Sequence, residues 1–396
     1  MKRFVCFLSL IFLIAGFVCF QVFWGEPSDR KFHAGAETIA INNAIDASGV
    51  SSAILIEANT GALLFEKNAD QKLPMASMTK MMTLKIVFDE IAKGRLSFDK
   101  KVKISAYAAS QTGSEAFLDE KAEYSIEDLV RTTVIVSAND SSVALAEAVC
   151  GSEKAFVARM NQYAATLGME NTHFENATGL PAAGHFSSAR DMATLAKLVV
   201  FDPCYKKYSK TYLDELVHPS GRKTSLVGTN RQLKNYSGFE GGKTGHTNEA
   251  GYCIAAGAKR GDMRLVSVVM GGVSSEKRFD TTKALFDFGF DNFKTKEVLK
   301  TNKPLATRPI ENGKDAEMNV FAKESFVVFM NKEDKFEFDI EIDVTNSKVP
   351  LKAGETVGKV GVVSLGEQIF ETDLVVQKDY PHVGWRKVFM NIVNAF

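Results

Sequence analysis

Apolar residues recur along the chain with four different spacings, and each spacing marks a region. Phe4 to Trp24 form an uncharged run broken only by Ser9 and Gln21, preceded by Lys2 and Arg3 and followed by a polar stretch from Glu26. A basic flank, an apolar core and a polar follow-on make an export signal, which sets residues 1–36 apart. The run exceeds the roughly 7–15 residues of an ordinary signal core and is long enough to span a bilayer. Removal at the small-x-small sequence Ala34-Gly35-Ala36 and retention as an N-terminal anchor are therefore both open.

Between residues 37 and 295, strand and helix patterns mix. Ala53-Ile54-Leu55-Ile56 and Ala62-Leu63-Leu64-Phe65, joined through Asn59-Thr60-Gly61, predict a hairpin. Helical spacing follows over Met78 to Lys93, Ser125 to Val136, Ser141 to Val149 and Ala189 to Phe201. Strands return at Gly251–Ala258 and Arg264–Met270 around a Gly261-Asp262 turn, and a further helix runs from Ser275 to Phe288. Strands, then helices, then strands again predict an α+β fold in which helices pack on an antiparallel sheet.

From 296 to 379 the spacing changes to two. Phe336 to Val344 alternates apolar and acidic residues, Val357–Val363 and Phe370–Val376 are further strands, and Lys352-Ala353-Gly354 is a turn, so this region is a small all-β domain. Residues 380–396 return to helical spacing, with Trp385, Val388, Phe389, Ile392, Val393 and Phe396 opposite Arg386, Lys387, Asn391 and Asn394. Such a helix can dock on its own β domain or lie in the plane of a membrane. In a chain with an export signal, the membrane surface is the expected partner.

Composition narrows the function classes. The 396 residues are 45% hydrophobic and 24% charged, which excludes a disordered or fibrous chain. Lys+Arg and Asp+Glu both number 48, so the charge excess expected of a nucleic-acid binder is missing. Outside the targeting segment the cysteines are Cys150, Cys204 and Cys253, read as silent buried thiols. With no C-x-x-C and six His, a metal site has little support.

Three short motifs carry candidate chemistry. In Pro74-Met75-Ala76-Ser77-Met78-Thr79-Lys80, Ser77 and Lys80 stand three apart at the start of a helix and so share a face. A serine hydroxyl needs a base, and an amine serves only when neutral. Bringing a lysine from about 10.4 to near neutrality costs roughly 4 kcal/mol, which desolvation, a second cation and a helix N-terminus can supply. By itself the spacing equally fits an ordinary helix surface. Ser137-Ala138-Asn139 fits either a helix-capping turn or a proton relay with a substrate amide. Gly242-Lys243-Thr244-Gly245-His246 lacks the earlier glycine of a phosphate loop, since position 237 is Ser. It fits either a glycine-rich turn or a strand on which Gly245 admits close approach while Lys243 and Thr244 meet a carboxylate.

The order S-x-x-K, S-x-N, K-T-G in an exported α+β chain resembles the penicillin-interacting serine enzymes. Within them it is most similar to the low-molecular-mass D-alanyl-D-alanine carboxypeptidases. Ala58-Asn59-Thr60-Gly61, Phe186-Ser187-Ser188-Ala189-Arg190-Asp191-Met192 and Gly251-Tyr252 add to the likeness, which spans residues 37–292. It implies that Ser77 is acylated by peptidoglycan stem peptides ending in D-Ala-D-Ala, with β-lactam antibiotics as inhibitors and no cofactor. Lys80 would be the base, Ser137 and Lys243 the relay to the leaving D-alanine, and Asn139 a peptide contact. Thr244 and Arg278 would meet the terminal carboxylate, while backbone N–H groups of Ser77 and His246 form the oxyanion hole. Two departures stand out: Ala138 replaces a common glycine, and Thr178 stands where some relatives carry histidine. The expected location is the outer face of a bacterial cell membrane. A β-lactamase and a non-enzymatic penicillin sensor are the alternatives, the first weakened by the absence of Glu-x-x-Leu-Asn.

Overall fold

The computed structural model describes residues 45–230, 233–311 and 313–384. The export segment 1–36 and residues 385–396 of the expected amphipathic helix lie outside them. Five antiparallel strands form the central sheet: β1 (Ser52–Glu57), β2 (Leu63–Lys67), β3 (Phe239–Thr247), β4 (Gly251–Arg260) and β5 (Met263–Gly272), in the order β2-β1-β5-β4-β3. Glu57 closes the first hairpin, its buried carboxylate accepting from the Thr60 N–H and hydroxyl, the Asn59 amide and the Arg264 N–H.

Strand side chains alternate between faces, and here both faces are dry. Ile54, Ile56, Val266 and Val268 point into one cluster and Ala53, Leu55, Leu265 and Val269 into the other. The second face is covered by α5 (Ser275–Asn292) through Phe279, Phe286 and Phe290. The first is covered by helices that include α1 (Lys80–Ala92), α2 (Ile126–Ile135), α3 (Asn139–Cys150) and α4 (Ala189–Val199). Of these α1 is buried over nine of its 13 residues, the polar Lys80, Thr83 and Glu90 among them. A helix at Glu153–Thr166 went unmarked in the sequence because only Phe156, Met160 and Ala164 are fully buried in it.

Beyond α5 the strand Phe293–Leu299 pairs with Phe326–Asn331, so the expected junction near 295 falls inside a strand. A five-stranded sheet follows, in the order Ala306–Pro309, Glu317–Ala322, Glu367–Val375, Thr356–Ser364, Asp339–Val344. Two expectations need correction. The alternation from Phe336 yields a strand only over Asp339–Val344, an edge, while the Phe336 and Phe338 rings stack on each other at 5.4 Å before the ladder begins. Residues 380–384 are not helical. Tyr380 exchanges backbone bonds with Leu351, and Pro381 disfavours a helical conformation in the residue before it. Among the described residues no helix is long and apolar enough to cross a membrane.

Candidate active site

Ser77 lies in a single 3-10 turn, Ala76–Thr79, that leads into α1. Ala76 has a φ of +48°, a left-handed conformation that costs a residue with a Cβ roughly 1–2 kcal/mol. Three features hold it. The Thr79 hydroxyl donates to the Ala76 carbonyl at 2.8 Å. A Cβ on Gly179 would lie 2.0 Å from that same carbonyl oxygen, and one on Gly245 2.9 Å from the Ser77 nitrogen. Backbone from two distant segments therefore presses on the turn where only glycine fits.

Lys80 is fully buried, and its Nζ has three partners: Ser77 Oγ at 2.9 Å, Asn139 Oδ1 at 2.6 Å and the Thr178 carbonyl at 2.6 Å. Burial first, then the Lys243 ammonium, push it well below the ordinary lysine range, while the Asp140 carboxylate acts the other way. The partners dictate what the neutral amine does. The Asn139 and Thr178 oxygens can only accept, so they take its two N–H bonds and its lone pair faces Ser77, whose hydroxyl then donates.

Ser137 also has a left-handed φ, +65°, and its Oγ accepts from Lys243 Nζ at 2.7 Å. Lys243 is fully buried on β3 and is brought down to about 7, by burial and then by the Arg278 guanidinium. The capping alternative for this segment fails. The cap of α3 is Ala138, which offers no side chain, and the helix starts at Asn139, earlier than the Ser141 expected. The Asn139 carboxamide is held at its other end by the Thr112 carbonyl, at 2.6 Å.

Residues 242–245 lie in the edge strand β3, which is extended and not a loop. Arg278 reaches it from α5, Nη1 donating to the Gly245 and Cys253 carbonyls at 3.1 and 3.2 Å, and its Nε has no hydrogen-bond partner among the described residues. His246 is exposed, its ring 4.2 Å from that of Tyr252. A hollow of about 520 Å³ joins Ser77, Ser137, Thr244, Gly245, His246 and Arg278, with Val227 to Thr229 at its rim. The structure thus gathers all nine expected site residues around one cleft; Lys80, Asn139 and Lys243 sit behind its wall.

Three contributors were invisible in the sequence. Asp140 is buried and accepts from the N–H groups of Ala116, Leu118 and Ser141, fixing the loop that carries Thr112. Thr178 acts through its backbone carbonyl, so exchanging histidine for threonine leaves the contact with Lys80 available. His185 stands behind the nucleophile turn. Its Nδ1 accepts from the Glu175 N–H at 3.0 Å, which places the proton on Nε2, 2.7 Å from the Thr79 hydroxyl. Burial first, then His173 and Lys80, lower His185 to about 4, so the ring is neutral. Cys150, Cys204 and Cys253 are free thiols, the first two only half-buried. Among the described residues no group of three or more His, Cys, Asp or Glu side chains could hold a metal.

A family model described as D-alanyl-D-alanine carboxypeptidase matches residues 37–274, and one described as penicillin-binding protein 5, C-terminal domain, matches residues 293–382. The D-alanyl-D-alanine carboxypeptidase DacF of Bacillus subtilis is 37% identical over 84% of this chain and 86% of its own. The enzyme DacC of Escherichia coli is 32% identical over 84% of each. Penicillin-binding protein 5 of Haemophilus influenzae superposes with a TM-score of 0.65 at 31% identity, covering 84% of this chain and 98% of that one. By the family match over most of its length and by these relatives, the chain belongs to the D-alanyl-D-alanine carboxypeptidase family of serine peptidases, S11.

Proposed function

We propose that this protein removes the terminal D-alanine from peptidoglycan stem peptides through an acyl-enzyme on Ser77, and that β-lactams acylate the same hydroxyl. The observation that carries the reading is the three-way anchoring of Lys80, which aims a neutral lone pair at Ser77 Oγ. Lys80 takes the hydroxyl proton as Oγ attacks the carbonyl between the two D-alanines. The oxyanion faces the N–H groups of Ser77 and His246, each such donor contributing about 3–4 kcal/mol in the transition state. Protonated Lys243 passes a proton through Ser137 to the leaving nitrogen, and the C–N bond breaks. Thr244, Arg278 and the Lys243 charge receive the substrate carboxylate. As the D-alanine departs, Lys80 gives up the proton it took and Lys243 regains one from solvent; water then attacks the ester, passing its proton to the neutral Lys80, which returns it to Ser77 Oγ as the ester bond breaks and the shortened peptide leaves.

The uncharged run near the N-terminus and the helical spacing of residues 385–396 support placement on the outer face of the cell membrane, with that terminal segment lying on the lipid surface. The test of function combines fluorescent penicillin with a diacyl-Lys-D-Ala-D-Ala peptide. Durable labelling with D-alanine release is expected. Rapid penicillin turnover would instead mark a β-lactamase, and labelling without release a sensor.

A further inference from the structure

Two elements that line the cleft stand outside the central sheet. Ser114 belongs to the loop 111–121, in which the Thr112 and Ser114 carbonyls accept from the side-chain and backbone N–H groups of Asn139 at 2.6 and 2.7 Å. Val227, Gly228 and Thr229 end a hairpin whose strands, Leu213–Val217 and Lys223–Val227, form a sheet of their own. A two-stranded hairpin is marginal in water by itself. This one buries Leu216 and Leu226 while Leu213, Val217 and Val227 stay exposed, so it depends on polar anchors. At its turn stands His218, the side chain fully buried and the ring edge-on to Tyr124, with centroids 5.8 Å apart. Tyr124 lies in the short strand Glu123–Ser125 that leads into α2. Its hydroxyl is 2.7 Å from His218 Nδ1 and accepts from the Asp119 N–H at 3.1 Å, so one oxygen joins the hairpin to the loop.

The partners fix the protonation of the ring. Arg222 Nη2, which can only donate, faces the same Nδ1 at 3.1 Å, so Nδ1 carries no hydrogen and the proton sits on Nε2, 2.8 Å from Thr224 Oγ1. Burial first, then the Arg222 guanidinium, lower His218 from its ordinary value, while Asp119, 3.8 Å away, and Asp140 act the other way. Asp140 holds the Ala116 and Leu118 N–H groups from one side of the loop. From the other, Arg222 donates to the Phe117 carbonyl and, at 2.7 Å, to Asp119 Oδ1. Phe117 and Lys121 have left-handed φ values of +59° and +65°, which persist only where surrounding bonds impose them. We infer that His218 is a positioning residue for acylation of Ser77: as a neutral acceptor it staples the hairpin to the loop that holds Asn139, and through Asn139 it keeps the Lys80 lone pair on the hydroxyl. The inference rests on the function proposed above. A proton on Nδ1 undoes the staple, because that hydrogen would point at two donors and leave the Tyr124 hydroxyl only Asp119 Oδ2, at 3.4 Å. Since folding lowers the His218 value, the staple is complete near neutral pH and is lost as pH falls below the ordinary histidine range.

The test follows labelling of the full-length protein by fluorescent penicillin in stopped flow, from about pH 4 to about pH 8, and separates the limiting acylation rate from the binding constant. A rate constant read from the time course does not depend on how much of a variant has folded. His218→Phe should lower the limiting rate about tenfold with binding nearly unchanged. His218→Asn, which offers Tyr124 an acceptor and does not titrate, should recover most of that rate, and its rate relative to the wild type should rise as pH falls below the histidine range. Tyr124→Phe should match His218→Phe, and the double variant should lose no more than either alone. An unchanged limiting rate in His218→Phe, a loss in the double variant equal to the product of the single losses, or parallel pH profiles for the wild type and His218→Asn would overturn the staple while leaving the carboxypeptidase reading standing. Absence of labelling in the wild type would take down both.

Discussion

The cleft and the C-terminal β domain treat their charges in opposite ways. Around Ser77 the protein buries Lys80, Lys243, Arg278 and Asp140. Past residue 293, Thr372 is the only buried polar side chain among the described residues, and pairs such as Lys359–Glu371 and Lys352–Asp379 stay exposed. Exposed pairs of this kind contribute little, about 0–1 kcal/mol, whereas a buried cation destabilises the fold unless its proton leaves or a partner compensates. The β domain is therefore arranged as a stable solvated body. The cleft carries an energetic burden whose return is chemical: Lys80 is held neutral where an ordinary lysine is charged, and Lys243 is poised to give up its proton near neutral pH.

The largest effect should come from the centre of that burden. Ser77→Ala should abolish both penicillin labelling and D-alanine release, a loss that for another serine enzyme's nucleophile reached about a million-fold. Lys80→Arg should cost about 10²–10⁴ in the acylation rate, because a guanidinium stays protonated and cannot act as the base, with stopped-flow labelling as the measurement.

Lys243 separates function from stability. Its folded value of about 7 lies below its ordinary 10.5, so between those limits the unfolded chain binds a proton that the folded chain does not. Stability should thus rise with pH across that window, by at most about 1.4 kcal/mol per pH unit, and lack this contribution below 7. Lys243→Met should flatten the rise and raise the melting temperature at pH 7 while removing activity. For the wild type, kcat/KM should decline on the alkaline side of about 7 as the relay proton is lost.

A smaller effect is expected behind the turn. His185→Phe removes the bond to Thr79 and the acceptor for the Glu175 N–H, and should slow acylation about tenfold to a hundredfold, whereas His185→Gln, which can both donate and accept, should recover part of the rate. The smallest belongs to the other region. Lys359→Ala in the β domain should change stability by less than about 0.5 kcal/mol in a denaturant titration and leave penicillin labelling as it was.

Legibility in the sequence also differed between the regions. The hairpin at Ser52, the two strands after Gly251 and the helix from Ser275 could be read because their patterning is local. Ser77, Lys80, Ser137 and Lys243 could be named because fixed spacing carries chemistry. The supports of the site could not. The Thr178 carbonyl exists at every residue, and the placement of His185 depends on a contact with Thr79 across 106 positions. In the β domain the period of Phe336 to Val344 was real, yet it overstated the strand, since periodicity records which face is wet and not where ladder bonds begin. At Tyr380 one proline outweighed the helical spacing that follows it.

The two glycines that clamp the Ser77 turn, together with the partners of Lys80 and Ser137, bear on the order in which the chain is made. Asn139 lies 59 positions after Lys80, Thr178 lies 98 after it, and Lys243 meets Ser137 from 106 positions further on. During synthesis, a chain that has not yet reached Lys243 holds the hydroxyl without its assembled surroundings. Reactivity toward an acyl donor is therefore acquired late, once the strand bearing Gly245 has docked, so a half-emerged chain stays chemically quiet.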